Sequence, residues 1–230
     1  RCVYETGPVP PQPLFLGTAK KQVSRKRLRG LYAITDEKLI PETAFTVAIR
    51  QALSGGATII QYRDKSANTN KRLEQALAMR TLCNEHNASL IINDDISLAK
   101  EVAADGVHLG EEDIAIEQAR LVLGKEAIIG VSCYNLIERA IEAQAAGADY
   151  VAFGAVFASS TKPEARQASC ELIRDAKARL DIPVCAIGGI DKSNAAFVID
   201  AGADMTAVIS GLFADPDIRH AAEHISGLFS

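Results

Sequence analysis

The chain has 230 residues, 48% of them hydrophobic, which is enough to bury one full core and suits a single α/β barrel. A net charge of −4 with a pI near 5.6 argues against general affinity for nucleic acid, and no apolar stretch approaches the roughly 18 residues that a membrane span needs. Five cysteines without a Cys-x-x-Cys pair indicate reduced thiols in a cytoplasmic enzyme.

Residues 1–29 differ in composition from the rest of the chain. Four prolines lie between Pro8 and Pro13, and six Lys and Arg residues follow between Lys20 and Arg29. Such a segment cannot pack a core, so we predict an irregular, solvated N-terminal extension; a basic arm that contacts an anion or a partner is the alternative. The catalytic domain is expected to occupy residues 30–230.

From residue 30 onward, short apolar runs alternate with longer amphipathic segments, and continuous Val/Ile-rich runs are typical of buried parallel strands. The runs are Leu31–Thr35, Thr58–Arg63, Ser89–Asn93, Gly106–Leu109, Ala127–Ser132, Asp149–Gly154, Pro183–Gly188 and Met205–Ser210. Eight strand-then-helix units in about 200 residues predict a single (β/α)₈ TIM barrel of the α/β class. An open doubly wound sheet is the alternative, but it usually has a glycine-rich turn after its first strand, and residues 31–41 contain no glycine.

The segments between the runs show helical periodicity and a recurring stop. In the predicted helix Lys71–His86, four apolar side chains fall near one face: Leu73, Leu77, Met79 and Leu82. A Gly/Ala/Asp turn then recurs before several runs, as Gly55-Gly56-Ala57, Ala104-Asp105-Gly106, Gly147-Ala148-Asp149 and Gly202-Ala203-Asp204. We expect glycine to supply the left-handed stop of each helix, and the recurrence supports repeated βα units.

The active site of such a barrel lies at the C-terminal ends of its strands, so the polar residues that end each run are the candidates. The second run ends with Gln61, Arg63 and Lys65 on one side of the strand. Two cations there predict an anion site, with a salt-bridged rim as the alternative. After the third run, the crowded carboxylates of Asp94 and Asp95 favour Mg²⁺. Asp94 is the better ligand because Asp95 is expected to cap the following helix.

The fourth and fifth runs add three candidates. Asp113 is either a second carboxylate for the same ion or the cap of a helix that begins near Ile114. His108 is either a catalyst in the mouth or a satisfied core residue, and the pattern does not decide between them. Ser132 can donate to phosphate, but without a Gly-x-Ser-x-Gly motif it is not expected to be a nucleophile.

Two further regions predict phosphate binding. The segment Ser159–Lys162 has three hydroxyls and a lysine suited to a phosphate or pyrophosphate, although a flexible polar loop is the alternative. Gly188–Gly189 and Ser210–Gly211 lie at the ends of the seventh and eighth runs, the usual place of a barrel phosphate site. Two anion sites beside a metal site predict an enzyme that joins two phosphorylated molecules and expels pyrophosphate.

Taken in order, these motifs resemble the pattern of the thiamine phosphate synthase family over about residues 30–228: Gln-x-Arg-x-Lys, Asn-Asp-Asp, His-Leu-Gly-x-x-Asp, Gly-x-Ser, a Thr-Lys loop, Ile-Gly-Gly-Ile and Ile-Ser. The resemblance implies that an aminopyrimidine pyrophosphate is bound by Gln61, Tyr62, Arg63, Asp64, Lys65, Asn93, Ser132 and Lys162. It implies that a thiazole phosphate is bound by Ser159, Ser160, Thr161, Gly189, Ile209 and Ser210. It also implies Mg²⁺ ligands at Asp94 and Asp113, and catalytic roles for Arg63, Ser132 and Lys162.

The implied reaction is a transfer in thiamine biosynthesis. Pyrophosphate leaves 4-amino-2-methyl-5-(diphosphooxymethyl)pyrimidine, and the nitrogen of a thiazole phosphate, plain or carboxylated, captures the pyrimidine-stabilised cation. Such a dissociative path needs charge stabilisation and a clamp on the leaving group, not a covalent nucleophile. The chain departs from the family at Ala155, Ala158 and Ser159, where the family usually has prolines and a threonine, so we expect a less rigid loop.

Two other functions are alternatives. A thiazole tautomerase of the same fold needs no pyrophosphate clamp, and the cations and carboxylates of the predicted clamp argue against it. A non-catalytic sensor of a phosphorylated metabolite would use the basic N-terminal segment to contact a partner. We expect small-molecule substrates and no nucleic-acid or membrane partner, and the sequence leaves homo-oligomer formation open.

Overall fold

The computed structural model describes residues 28–110, 115–158 and 167–230. The strands are β1 Gly30–Ile34, β2 Ile59–Tyr62, β3 Ser89–Asn93, β4 Gly106–Leu109, β5 Ile128–Tyr134, β6 Tyr150–Phe153, β7 Val184–Ile187 and β8 Met205–Val208. Within the described residues these eight parallel strands pair in sequence order, and β8 closes against β1. The predicted TIM barrel is therefore confirmed, and the open doubly wound sheet is wrong. Most of the predicted extension, residues 1–27, lies outside the described residues.

Helices follow the strands and cover the outside of the barrel. They are α1 Phe45–Ser54, α2 Thr69–His86, α3 Ile96–Glu101, α4 Ile116–Leu123, α5 Ile137–Ala145, α6 Cys170–Arg179, α7 Ala195–Asp200, α8 Ser210–Phe213 and α9 Ile218–Gly227. In α2, Met79 and Leu82 are buried as predicted, but Leu77 is 47% exposed, so the predicted apolar face is wrong at that position. No helix in the three described ranges is long and apolar enough to cross a membrane.

The predicted glycine stops are confirmed at three of the four turns. Gly56, Gly147 and Gly202 have left-handed φ values of +98°, +92° and +100°. At the remaining turn the left-handed residue is Ala103, with φ +50°, and not a glycine. Gly106 instead starts β4, where a side chain would collide with the backbone of Ile128 on β5.

Buried side chains form two layers, one inside the barrel and one between the strands and the helices. The inner layer includes Leu28, Tyr32, Ile34, Ile59, Ile91, Ile128, Tyr150, Ala152, Cys185, Met205 and Ala207. Alternation along each strand decides the layer, since successive side chains point to opposite faces. Leu28 is 2% exposed and belongs to the inner layer, so barrel packing begins two residues before the predicted domain boundary.

The base of the barrel, where the strands begin, carries three ion pairs of one design, which we call the acidic braces. Asp105 Oδ2 accepts from Arg80 at 2.7 Å and from the Leu90 amide at 2.7 Å. Asp149 Oδ2 accepts from Arg120 at 2.7 Å and from the Ile129 amide at 2.9 Å. Asp204 Oδ2 accepts from Lys177 at 2.7 Å and from the Val184 amide at 2.8 Å. Each brace ties a helix to two neighbouring strands, which fixes the barrel beneath the site.

Candidate active site

Arg63 lies at the mouth of the barrel, beside the end of β1. Its guanidinium Nη1 is 3.4 Å from Asp36 Oδ2, and its side chain is 18% exposed. The Arg63 amide donates to Thr35 Oγ1 at 2.8 Å, and that hydroxyl donates back to the Arg63 carbonyl at 3.1 Å. Thr35 therefore joins the ends of β1 and β2, and a partly exposed cation is held where an anion could reach it.

Lys65, Asn93 and Asp94 meet at the ends of β2 and β3. Asp94 Oδ2 lies 3.3 Å from Lys65 Nζ and 2.5 Å from the Asn93 side-chain amide. Asp94 adopts a left-handed φ of +62°, and its backbone N–H donates to the His108 carbonyl at 2.9 Å. An aspartate in this region of backbone space is uncommon, and functional sites are one place where such strain is retained.

Asp95 turns away from this cluster. Its carboxylate accepts from the Leu98 amide at 2.8 Å, as the N-cap of α3, and from Arg72 at 2.8 Å. The predicted positions are confirmed: Asp95 caps α3, and Asp94 lies at the mouth. The role of Asp94 as a metal ligand stays a prediction.

The residues at the mouth fit the part of a magnesium site that the structure describes. Asp94 offers a carboxylate that is 33% exposed, next to Lys65. Mg²⁺ commonly takes one or two carboxylates and completes its shell with water and substrate phosphate. Among the described residues no group of three His, Cys, Asp or Glu side chains could hold a metal ion by itself. The second predicted ligand, Asp113, lies outside the described residues.

Tyr62 and Asp64 occupy the opposite side of the same strand end, among the helices. The Tyr62 ring packs edge-on against Phe45, with centroids 6.2 Å apart, and its hydroxyl donates to Gln75 at 3.0 Å. The Asp64 carboxylate is 2% exposed and lies 2.8 Å from Lys71 Nζ. Burial alone would raise the pKa of Asp64, but the hydrogen bonds from Lys71 and Ser66 outweigh it and lower that pKa. Neither side chain joins the mouth cluster.

Gln61, His108 and Ser132 belong to a line of hydrogen-bonded side chains inside the barrel. The Gln61 amide donates to the Tyr32 hydroxyl at 2.7 Å, and that hydroxyl lies 2.8 Å from the Tyr150 hydroxyl. The Tyr150 hydroxyl is 2.9 Å from His108 Nδ1. His108 Nε2 is 2.9 Å from Ser132 Oγ. His108 is thus bonded through both ring nitrogens and is only 8% exposed.

Four residues of the mouth and its support were not among the predicted site residues. Asp36 is the partner of Arg63, and Tyr32 and Tyr150 belong to the line inside the barrel. Arg139 donates to the carbonyls of Ser132 at 2.8 Å and Gly110 at 3.1 Å, which holds the ends of β5 and β4 together. The alternation of side chains along each strand could have identified the two tyrosines, because it points them into the barrel, as it does Gln61 and His108.

Gly188 and Gly189 directly follow β7, on the far side of the mouth. Both have left-handed φ values, +103° and +61°. A side chain at Gly188 would collide with Ala155, and one at Gly189 would collide with the carbonyl of Ala158. The Phe157 amide also donates to the Gly188 carbonyl at 3.0 Å. These glycines are therefore required where the loop after β6 crosses them, whereas their contact with a phosphate stays a prediction.

Ile209 and Ser210 follow β8 beside this pair. Ile209 packs against the inner layer of the barrel, and Ser210 begins the four-residue helix α8. A side chain at the next residue, Gly211, would collide with the carbonyl of Ile190. The ends of β7 and β8 thus lie against each other, as their predicted shared role requires. Ser159, Ser160, Thr161 and Lys162 lie outside the described residues.

Comparisons with known proteins agree with one another. The family described as thiamine monophosphate synthase matches residues 31–212. Thiamine-phosphate synthase from Thioalkalivibrio sulfidiphilus is 51% identical over 204 residues, covering 89% of this chain and 97% of that protein. The Nitrosococcus oceani protein of the same name is 53% identical over 195 residues, covering 85% and 90%. The structure of thiamine phosphate pyrophosphorylase from Pyrococcus furiosus superposes with a TM-score of 0.81 at 41% identity, covering 89% of this chain and 96% of that one.

Proposed function

The chain belongs to the thiamine monophosphate synthase family and is a transferase of thiamine biosynthesis, and we propose how the barrel mouth divides the reaction between two sides. The strand ends β2 to β5 bind the aminopyrimidine pyrophosphate. The ends of β7 and β8, with the loop after β6, bind the thiazole phosphate. Two observations carry this proposal: Arg63 lies beside Asp36 at the mouth, and Lys65, Asn93 and Asp94 meet at the ends of β2 and β3.

On the pyrimidine side, Arg63 and Lys65 are the anion-binding groups. Arg63 offers a planar fork of donors to a diphosphate, and Lys65 offers a mobile point charge that is 58% exposed. Lys162 adds a third cation if its sequence prediction holds. Tyr62 and Asp64 have a supporting role and do not contact the substrate. Their bonds to α2 fix the segment that carries Arg63 and Lys65.

Asp94 would hold Mg²⁺ on this side, and Asp113 stays its predicted companion. A bound magnesium ion supplies Lewis-acid stabilisation of the charge that develops on a departing pyrophosphate. The Asn93 amide, 2.5 Å from Asp94 Oδ2, keeps that carboxylate oriented toward the mouth.

On the thiazole side, Gly189, Ile209 and Ser210 line the phosphate site together with the predicted Ser159, Ser160 and Thr161. The close approach of Ala155, Phe157 and Ala158 to Gly188 and Gly189 supports this grouping, because these loop residues come directly before the predicted hydroxyl segment in the sequence. In this proposal the thiazole lies opposite the diphosphate. A nucleophile held in this way meets the pyrimidine carbon from the side away from the leaving group.

The protein's contribution to the chemistry is electrostatic. Ser132 and the cations hold the leaving diphosphate, while the barrel interior excludes water from the pyrimidine cation. A covalent enzyme nucleophile is not needed, and the buried thiols are poorly suited to that role. Burial raises the pKa of both Cys83 and Cys133 to about 12, so these thiols stay protonated. A cytoplasmic location stays a prediction of the sequence, which leaves the oligomeric state open.

Release of pyrophosphate tests this proposal. We expect release that requires both substrates and Mg²⁺, and a tautomerase or a sensor would release none. Lys65→Ala should raise the KM for the pyrimidine substrate, whereas Arg50→Ala, which deletes an exposed cation on α1, should not. Asp94→Asn should raise the Mg²⁺ concentration needed for half-maximal activity. Full activity of Asp94→Asn at low Mg²⁺ would contradict the metal assignment.

A further inference from the structure

The line of side chains from Gln61 to Ser132 is buried along most of its length. Tyr32 is 1% exposed, Tyr150 0% and Gln61 2%. The Tyr150 ring stacks on His108 with centroids 5.6 Å apart, and Tyr32 meets it edge-on at 5.9 Å. Glycine is required at position 130, because any side chain there would collide with the Tyr150 ring. Buried hydroxyls of this kind depend on one another for hydrogen bonds.

The direction of the hydrogen bonds follows from counting donors. The Gln61 amide nitrogen only donates, so the Tyr32 oxygen accepts from it. Within the described residues the proton of Tyr32 has one remaining partner, the Tyr150 oxygen. If Tyr150 donated to Tyr32 instead, the Tyr32 O–H would be buried without an acceptor, which is costly.

The directions of the remaining hydrogen bonds, from Tyr150 to Ser132, follow in the same way. Tyr150 accepts from Tyr32 and therefore gives its own proton to His108 Nδ1. A neutral imidazole that accepts at Nδ1 carries its proton on Nε2, so His108 donates to Ser132 Oγ. The Ser132 oxygen has then accepted, and its own proton is available to a group outside the line.

We propose that Gln61, Tyr32, Tyr150 and His108 form a one-directional hydrogen-bond relay that holds the Ser132 hydroxyl as a donor toward the barrel mouth. Tyr32 and Tyr150 are positioning residues in this scheme, since they act through Ser132. That the acceptor is the leaving pyrophosphate rests on the proposed function. No proton is transferred along the relay, and no bond is made or broken in it.

The acidity of the two phenols supports a relay that orients and does not ionise. Burial raises the pKa of Tyr32 and of Tyr150 well above the ordinary value, although the mutual hydrogen bond favours Tyr32 as an ionised group. Both phenols therefore keep their protons at neutral pH. Each protonated hydroxyl can accept one bond and donate one, as the relay requires.

The tautomer of His108 tests the relay without any substrate. Nitrogen-15 spectra of histidine-labelled protein distinguish Nδ1–H from Nε2–H, and the His108 signals are the ones that disappear in His108→Gln. The other histidines, His86, His220 and His224, serve as internal references. We expect the Nε2–H form. The Nδ1–H form would overturn the proposal, because it reverses every bond in the line, as a half-turn of the Gln61 amide would require.

Kinetics test whether the relay matters for the reaction. Tyr150→Phe keeps the ring above Gly130 and removes only the hydroxyl, so kcat should fall about 10-fold with little change in either KM. The matched control is Thr206→Val. It removes a fully buried hydroxyl, on the outer face of β8, that has no hydrogen-bond partner among the described residues. An unchanged kcat in Tyr150→Phe, or an equal fall in Thr206→Val, would contradict the positioning role.

A double-mutant cycle separates positioning from general damage to the barrel. If Tyr150 acts through Ser132, then Tyr150→Phe should have little further effect on kcat in a Ser132→Ala background. Fully additive losses would overturn the relay. If the wild-type chain released no pyrophosphate, the proposed function would be wrong. The direction of the relay would not be affected, because the tautomer measurement tests it independently.

Discussion

The base and the mouth of the barrel both contain ion pairs, but the pairs differ in length and exposure. At the base, one oxygen of each brace carboxylate accepts a hydrogen bond from a Lys or Arg side chain at 2.7 Å and another from a strand amide. At the mouth, the corresponding contacts are longer: 3.4 Å between Arg63 and Asp36, and 3.3 Å between Lys65 and Asp94. Lys65 is also 58% exposed, whereas Arg80 is 15% exposed. The ion pairs at the base are short and tied to strand amides, whereas those at the mouth are longer, as we propose for groups that also bind a ligand.

The largest effect should come from the most buried brace. Asp149 is 4% exposed, so Asp149→Asn leaves Arg120 without its charge partner and should lower the free energy of unfolding by about 3 kcal/mol. Asp204→Asn is the matched control: its pair is 28% and 32% exposed, so the loss should be about 1 kcal/mol. Urea unfolding measures both. Equal losses would mean that burial does not rank the braces.

At the mouth the effect should appear in activity and not in stability. Arg63→Ala removes a cation that faces the diphosphate, so kcat/KM for the pyrimidine substrate should fall about 100-fold. The free energy of unfolding should change by less than about 1 kcal/mol, because the pair is long at 3.4 Å and the buried Asp36 keeps its hydrogen bond from the Lys38 amide. Arg63→Lys keeps the charge without the planar fork and should restore only part of the activity. A large loss of stability in Arg63→Ala would place this pair with the braces.

The two sides of the mouth can be separated through glycine. Gly189→Ala should push the β6 loop away, because the new methyl group meets the Ala158 carbonyl. The KM for the thiazole phosphate should rise several-fold, about 10-fold at most, with less change for the pyrimidine substrate. Gly147→Ala is the control, since Gly147 also has a left-handed φ, +92°, but open space around it. Equal changes in both KM values would contradict the proposed division of the mouth.

The smallest effect concerns the carboxylate behind the mouth. The pKa of Asp64 is lower in the folded protein than in the unfolded chain, so its contribution to stability is present at neutral pH and is lost as the pH falls through the folded pKa. Asp64→Asn should therefore flatten the loss of stability between about pH 5 and about pH 2. Urea midpoints across this range measure it. An unchanged acid limb would show that Asp64 gains nothing from its pair with Lys71.

Much of the fold could be predicted because buried parallel strands appear as continuous apolar runs. The strands Ser89–Asn93 and Gly106–Leu109 have the predicted bounds, and the cap at Asp95 followed from local chemistry alone. Leu77 was misplaced because helical periodicity gives a face but not the neighbour that covers it.

The site was harder to predict because its support depends on register between distant strands. Tyr32 and Tyr150 are 118 residues apart and meet only when the barrel closes. Within its own apolar run each tyrosine looks like core, and only the pairing of strands shows that both share a face with His108. The sides taken by Tyr62 and Asp64 follow from strand alternation, whereas their partners Gln75 and Lys71 depend on the packing of α2.

The acidic braces also bear on how the barrel could be cut and rejoined. Each brace involves one even-numbered helix and the two strands that follow it around the barrel, so the braces recur every second strand: α2 with β3 and β4, α4 with β5 and β6, and α6 with β7 and β8. Residues 111–114 fall between the first brace and the second. The opposite ends of the described chain are already neighbours, since Arg29 donates to the Phe229 carbonyl at 3.1 Å. A circular permutant that joins these ends and opens at residues 111–114 would keep every brace within a continuous stretch of chain, at the cost of cutting the segment that carries Asp113.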